Sequence, residues 1–125
     1  MAYRNNAETM SVTRSFAMSQ DRAAGAMICI RGDAIGSMVP LQSDRKVVVG
    51  RDPSVCNLVL SNPKVSRKHL EITYIGTLDK YRVVDCSSNG TFLQKRYRLN
   101  RDQEYYLESM TELHLGSDEV IYKLR

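Results

Sequence analysis

At 125 residues the chain has room for one folded domain and a short appendage, and not for two domains. Hydrophobic residues make up 42% of it, but Trp is absent and Phe occurs twice, so aliphatic side chains and some of the seven Tyr must build the core. A net charge of +4 favours anionic partners without separating nucleic acid, phosphopeptide and membrane surface, and no apolar run approaches the roughly 18 residues of a membrane span.

Residues 1–25, "MAYRNNAETMSVTRSFAMSQDRAAG", are polar and show no alternation. A helical pattern over residues 14–24 has too few apolar positions to hold, so the segment is expected to be a flexible N-terminal tail ahead of a domain spanning 26–125. It carries no apolar leader, and the expected location is cytoplasmic.

From Met27 onward, short apolar runs alternate with turn signals. "AMICIR" is followed by "GDAIG", "KVVVGR" by "DPSVCN" and "NLVL" by "SNPKVS". In "HLEITYI", Leu70, Ile72 and Tyr74 share one face while His69, Glu71 and Thr73 share the other. "KYRVV" stops at "DCSSNG". "ELHLG" alternates Leu113 and Leu115 with Glu112 and His114, and "EVIYKLR" alternates Val120, Tyr122 and Leu124 with Glu119, Ile121 and Lys123. This is strand periodicity with no helical stripe. About ten strands in about 100 residues can bury their apolar faces only by packing two sheets or closing a barrel, and an antiparallel β-sandwich is expected.

The three cysteines, Cys29, Cys56 and Cys86, are odd in number, far apart and lack metal-ligand spacing. They read as buried free thiols, and no metal or other cofactor is expected.

Function on a sandwich usually sits on loops at its ends. Three loops here carry polar donors: "GRDPSVCN", "SNPKVSRK" and "CSSNGT". A phosphate monoester brings roughly −1.5 to −2 charges and three acceptor oxygens. Arg51 on one loop, with Ser66 and Arg67 on the next, supplies a guanidinium fork, a hydroxyl and a second cation. Charge-assisted bonds of that kind contribute about 1.5–3 kcal/mol each. Each residue also has a plain reading. Arg51 could be a solvated strand end, Ser66 a turn residue and Asn89-Gly90 a tight hairpin turn. Lys68 reads best as a surface charge, His69 as a histidine bracing a loop by hydrogen bonds, and His114 as facing solvent. Ser66 and His69 could suggest nucleophilic catalysis, but the sequence offers no orienting acid, nucleophile elbow or glycine-rich phosphate loop, so no enzyme is expected.

Taken together, Gly50-Arg51, then Ser66-Arg67-Lys68-His69, then Ser88-Asn89-Gly90-Thr91 on an all-β chain resemble the forkhead-associated (FHA) domain family. The closing segment "LNRDQEYYLESMTELHLGSDEVIYKL" resembles the family's last strands, so the likeness runs from about Met27 to Arg125. The resemblance implies about eleven strands in two sheets, and binding of phosphothreonine peptides without catalysis, as an adaptor or regulator downstream of a Ser/Thr protein kinase. It places Arg51 and Ser66 at phosphate-binding positions and Arg67 near the phosphate. Ser88 and Asn89 fall where the family grips peptide backbone and shapes a pocket for the threonine methyl. The family often has Thr at the position of Ser88. Gly50, His69, Gly90 and Thr91 match structural positions, and Lys64 lies where flanking peptide residues are read.

The tail stretch "ETMSV" is also similar to the tail motif of small bacterial FHA regulators, in which a phosphorylated tail threonine is captured by the protein's own domain. The motif's second threonine is replaced by Met10, which makes Thr9 the first candidate for phosphorylation and Thr13 the second. Two alternatives stand beside this reading. One is a degenerate FHA scaffold that holds a protein partner without phosphate. The other is a nucleic-acid-binding β-barrel using Tyr74, Tyr81, Tyr97, Tyr105 and Tyr106. The second is disfavoured because Tyr74 shares its face with Leu70 and Ile72, and Tyr105 and Tyr106 must point to opposite faces. Neither nucleic-acid binding nor membrane insertion is expected.

Overall fold

The period-2 runs become strands in the computed structural model, which describes residues 24–125. In chain order these are β1 (Gly25–Arg31), β2 (Met38–Leu41), β3 (Val47–Gly50), β4 (Leu58–Val59), β5 (Leu70–Ile75), β6 (Lys80–Asp85), β7 (Thr91–Phe92), β8 (Glu104–Leu107), β9 (Glu112–Leu115) and β10 (Ile121–Leu124). They form two five-stranded sheets, ordered β2-β1-β10-β9-β7 and β4-β3-β5-β6-β8. The expected sandwich is therefore present. One pairing departs from the antiparallel expectation: β4 runs parallel to β3, with Val49 opposite Leu58. The crossover between them is the loop that begins at Arg51.

The core forms where the alternating faces meet. Leu70, Ile72, Tyr81 and Val83 of one sheet and Met27, Cys29, Leu113, Leu115, Tyr122 and Leu124 of the other are buried in a single cluster. Burying a side chain of this size stabilises the fold by about 1.5–3 kcal/mol. Tyrosines fill the gap left by the missing Trp. The Tyr74 and Tyr81 rings pack 5.0 Å apart, and their hydroxyls are satisfied, Tyr74 by donating to Asp79 at 2.7 Å and Tyr81 by donating to the Arg125 carbonyl at 2.7 Å. Tyr105 packs against the core while Tyr106 is exposed, the opposite-face arrangement that adjacent strand residues require.

Strand directions gather five loops at one end. β1, β3, β6 and β9 all run towards it, and β2, β5, β7 and β10 all leave it. Two of the loops are joined there by the Gly116 N–H donating to the Gly90 carbonyl at 2.9 Å. The start of β1 lies at the opposite end, where Arg125 N–H donates to the Ala26 carbonyl at 2.9 Å. The expected tail, including Thr9 and Thr13, lies outside the described residues. Cys29 is buried as expected, whereas Cys56 and Cys86 are only partly so because each sits on a loop; all three are free. Among the described residues no helix is long and apolar enough to cross a membrane.

Candidate functional site

Gly50 decides how the site is assembled. A Cβ there would fall well inside contact distance of the Arg67 carbonyl oxygen and 2.9 Å from that of Ser66. Only glycine lets the two loops press together this closely. Arg51 N–H then donates to the Ser66 carbonyl at 3.0 Å, and Asp52 N–H to that of Arg67 at 3.1 Å. The Arg51 side chain is anchored by its Nε, which donates to the Val65 carbonyl. That bond fixes the direction of an otherwise exposed guanidinium. Its two terminal nitrogens have no hydrogen-bond partner among the described residues. Asp52 accepts from Ser54 N at 2.9 Å and from Ser54 Oγ at 2.7 Å. Those bonds, then the Arg67 charge, hold its carboxyl below the usual carboxylate range.

Ser66 connects three partners. Its N–H donates to His69 Nδ1 at 3.0 Å, its carbonyl accepts from Arg51, and its hydroxyl oxygen accepts from Ser88 N–H at 3.0 Å. An oxygen that is accepting keeps its own proton free to donate. The serine hydroxyl therefore offers a donor on the same ridge as the Arg51 fork.

His69 is fully buried. With Nδ1 accepting from Ser66, the ring proton sits on Nε2, which donates to the Gly90 carbonyl at 3.0 Å. Burial pushes its pKa down, against the opposing pull of the Gly90 carbonyl and Asp85. The ring is thus a neutral brace between two loops. It takes the amide of Ser66 and not its hydroxyl, so no nucleophile–base pair exists here. Among the described residues no cluster of His, Cys, Asp and Glu could hold a metal ion.

The third loop is shaped by a polar knot that the sequence reading did not single out. Buried Asp85 accepts through one oxygen from Ser87 Oγ at 2.6 Å and from Thr91 Oγ1 at 2.7 Å. Ser87 Oγ in turn accepts from Gly90 N–H at 2.8 Å. The signal was present as an Asp followed two residues later by Ser, the spacing of an Asx turn. Gly90 adopts φ +97°, in the left-handed region, with no room for a Cβ beside Arg98. Arg98, also unremarked in the sequence, donates to the Ser88 carbonyl at 3.3 Å and lies 5.7 Å from the Phe92 ring centre.

Asn89 and Ser88 are exposed at the tip of this loop. Asn89 Nδ2 donates to the Lys64 carbonyl at 3.0 Å, so part of its amide ties the loops together. Arg51, Ser66, Ser88, Asn89 and the Lys64 backbone are thus joined by direct hydrogen bonds, with Arg67 exposed beside them. Lys68 is not available to the cluster in the same way, because its ammonium pairs with Glu71 at 2.8 Å. His114 corrects the solvent-facing expectation: its side chain is only 18% exposed, held by Asp118 at 2.9 Å with Glu112 at 3.6 Å. Asp118 comes from the turn after β9 and covers a ring that strand alternation had pointed outward.

The FHA domain family matches this chain over residues 47–116. The meiosis-specific serine/threonine-protein kinase MEK1 of Saccharomyces cerevisiae is 36% identical over 87 residues, covering 65% of this chain and 17% of the kinase. The FHA domain-containing protein PS1 of Arabidopsis thaliana is 35% identical over 79 residues, covering 62% of this chain and 5% of that protein. The chain therefore spans a small part of the curated relatives it matches. Among solved structures, the MEK1 FHA domain in complex with a HOP1 phosphothreonine peptide is similar, with a TM-score of 0.66 and 27% identity, over 80% of this chain and 93% of that one.

Proposed function

The chain belongs to the FHA family, and we propose that it binds phosphothreonine-containing peptides through Arg51, Ser66, Arg67, Ser88 and Asn89, with Lys64 touching flanking residues. The observation that carries the reading is the anchoring of Arg51 Nε on Val65 and of Ser66 Oγ on Ser88 N–H. Both anchors use the inner atoms of their groups and leave the outer donors for a multiply charged anion. The similar MEK1 FHA domain, solved with a phosphothreonine peptide, supports the same use of the fold. In this reading residues 26–125 are a binding module without catalysis, acting as an adaptor or regulator downstream of a Ser/Thr protein kinase. An oriented phosphothreonine peptide library, applied before and after phosphatase treatment, tests it. Retention that survives phosphatase would replace it with the phosphate-independent scaffold.

The finer part of the proposal is self-capture, in which Thr9, or Thr13 in its place, is phosphorylated and occupies the site. From Thr9 to Ala26 is 17 residues, which treated as a random coil would span roughly 20–25 Å, against a radius of gyration near 13 Å for a domain of about 100 residues. The β1 start lies at the end away from the loops, so the tail must cross the length of β1, about 23 Å for seven residues. That distance matches the span. Tethering raises the effective concentration to about the millimolar range, so a modest intrinsic affinity suffices. Phosphorylation at Thr9 should block an added phosphopeptide and shift the amides of Arg51, Ser66 and Asn89. Undiminished peptide affinity with unmoved amides would exclude self-capture.

A further inference from the structure

Beside the proposed phosphate site, at the same end of the sandwich, a cavity of about 290 Å³ opens between the β1–β2 loop, the segment after β4 and the turn before β10. Its apolar walls include Cys29, Leu60, Val120 and Tyr122. Two carboxylates, Asp33 and Glu119, stand among its lining residues. Each is positioned by a neighbour from the chain segment that leads to Ser66. Ser61 Oγ donates to Asp33 Oδ2 at 3.0 Å, and Asn62 Nδ2 donates to Glu119 Oε1 at 3.1 Å. Tyr122, 1% exposed, closes the inner wall beside Cys29, its partner across the β1–β10 pairing.

The sign of this cavity runs against its surroundings. Arg51, Lys64 and Arg67 make the neighbouring ridge basic, and the chain carries +4 overall, yet the lining residues of the cavity include two acids and no base. Apolar walls suit the methylenes of a long side chain, and the two carboxylates suit the donors at its tip. We infer that the cavity receives a lysine or arginine side chain of the bound phosphothreonine segment, so that the ligand carries a cation as well as a phosphate. This rests on the phosphothreonine reading. Asn62 is four residues from Ser66, at most about 14 Å along the chain. The cation therefore lies within about four residues of the phosphothreonine.

The test uses the full chain and a phosphothreonine peptide in an alanine background, with Lys, Arg, Gln or Glu placed in turn at the four positions on either side. Affinities are measured at about 0.15 M salt, where charges more than about 8 Å apart are largely screened. Lys or Arg at one position should bind about five-fold more tightly than Gln and should shift the amides of Val120 and Tyr122. Asp33→Asn with Glu119→Gln should erase that gain without weakening the Gln peptide. Glu119→Gln alone, at an exposed position, should reduce the gain and repeats the test if the double variant loses its fold. A gain absent at every position, or unchanged in these variants while binding remains phosphate-dependent, overturns the cavity assignment alone. Failure of every phosphopeptide to bind overturns both readings.

Discussion

Ser88 N–H donates to the Ser66 hydroxyl oxygen at 3.0 Å, which locks the β6–β7 loop to the β4–β5 loop. Ser66→Ala removes that acceptor and the proposed outward donor together. The Ser88 amide is at an exposed position and can turn to water, so the stability cost should stay near 0.5–1.5 kcal/mol. Phosphopeptide affinity should fall at least about tenfold, or about 1.4 kcal/mol. Urea denaturation paired with titration checks both parts. A large stability loss with unchanged affinity would make Ser66 a purely structural residue.

Arg51→Ala should keep the fold at a cost of about 1 kcal/mol, since the side chain is exposed and its one internal hydrogen bond is to the carbonyl of buried Val65. Affinity should drop at least about tenfold. Arg51→Lys should recover little of it, because lysine has no second donor to anchor on Val65 while facing a phosphate. Calorimetric titration of the three proteins separates the cases. Full recovery with lysine would reduce the role of Arg51 to a point charge.

His69 links the site to pH. Burial holds its pKa below that of an unfolded histidine, near 6.5, so between the two values the unfolded chain binds more protons. Stability is then fully present above the unfolded value and is lost as pH falls from about 6.5 through the lower folded value. Asp52, Glu71 and Asp118, whose carboxyls are held low, lose their contributions only in the more acidic carboxylate range. Thermal melts from pH 7.5 to 5.5 should show a fall in Tm that is smaller in His69→Gln, a variant less stable at every pH. Equal slopes would exclude His69 as the titrating group.

Much of the fold was legible because most core strands alternate, although Thr73 and Ile121, on the alternate faces, are buried as well. Leu70, Ile72 and Tyr74 fall on one buried face, as do Leu113 with Leu115 and Tyr122 with Leu124. The two-residue strands β4 and β7 are too short to carry a period, and the parallel pairing of β4 arises from the crossover loop and not from any local pattern. At the site, residue types named the donors, but their partners are tertiary. Nothing near Asn89 in sequence reveals that its amide meets Lys64, 25 positions away. Nor does local sequence show that Gly116, at φ +80°, leaves no room for a Cβ against the Lys64 carbonyl. The short 3₁₀ turn at Gln94–Arg96 was equally hidden, since Lys95 and Arg96 adopt positive φ without the glycine that usually signals it.

Gly50→Ala should be among the most damaging single methyls. The clash is with backbone carbonyls of Ser66 and Arg67, which cannot move without breaking the Arg51 and Asp52 hydrogen bonds. A loss of at least about 2 kcal/mol is expected. Gly36→Ala is a useful comparison, because nothing lies within 4 Å of the Cβ position at Gly36 and an alanine there incurs only the strain of φ +90°. Chemical denaturation of both ranks them. A milder effect at Gly50 than at Gly36 would contradict the packing argument.

The most direct measurement is a titration of the isotopically labelled protein with one peptide in phosphothreonine, phosphoserine and unphosphorylated forms. The account predicts that the phosphothreonine form binds and shifts the amides of Arg51, Ser66, Ser88 and Asn89 together. The phosphoserine form should bind more weakly if the loop of Ser88 and Asn89 shapes a methyl pocket, and the unphosphorylated form should leave those amides in place. Equal affinity for the first two would remove the methyl pocket and leave the phosphate site standing. Binding of the unphosphorylated peptide at equal strength, or shifts confined to the sheet faces, would contradict the phosphothreonine site itself.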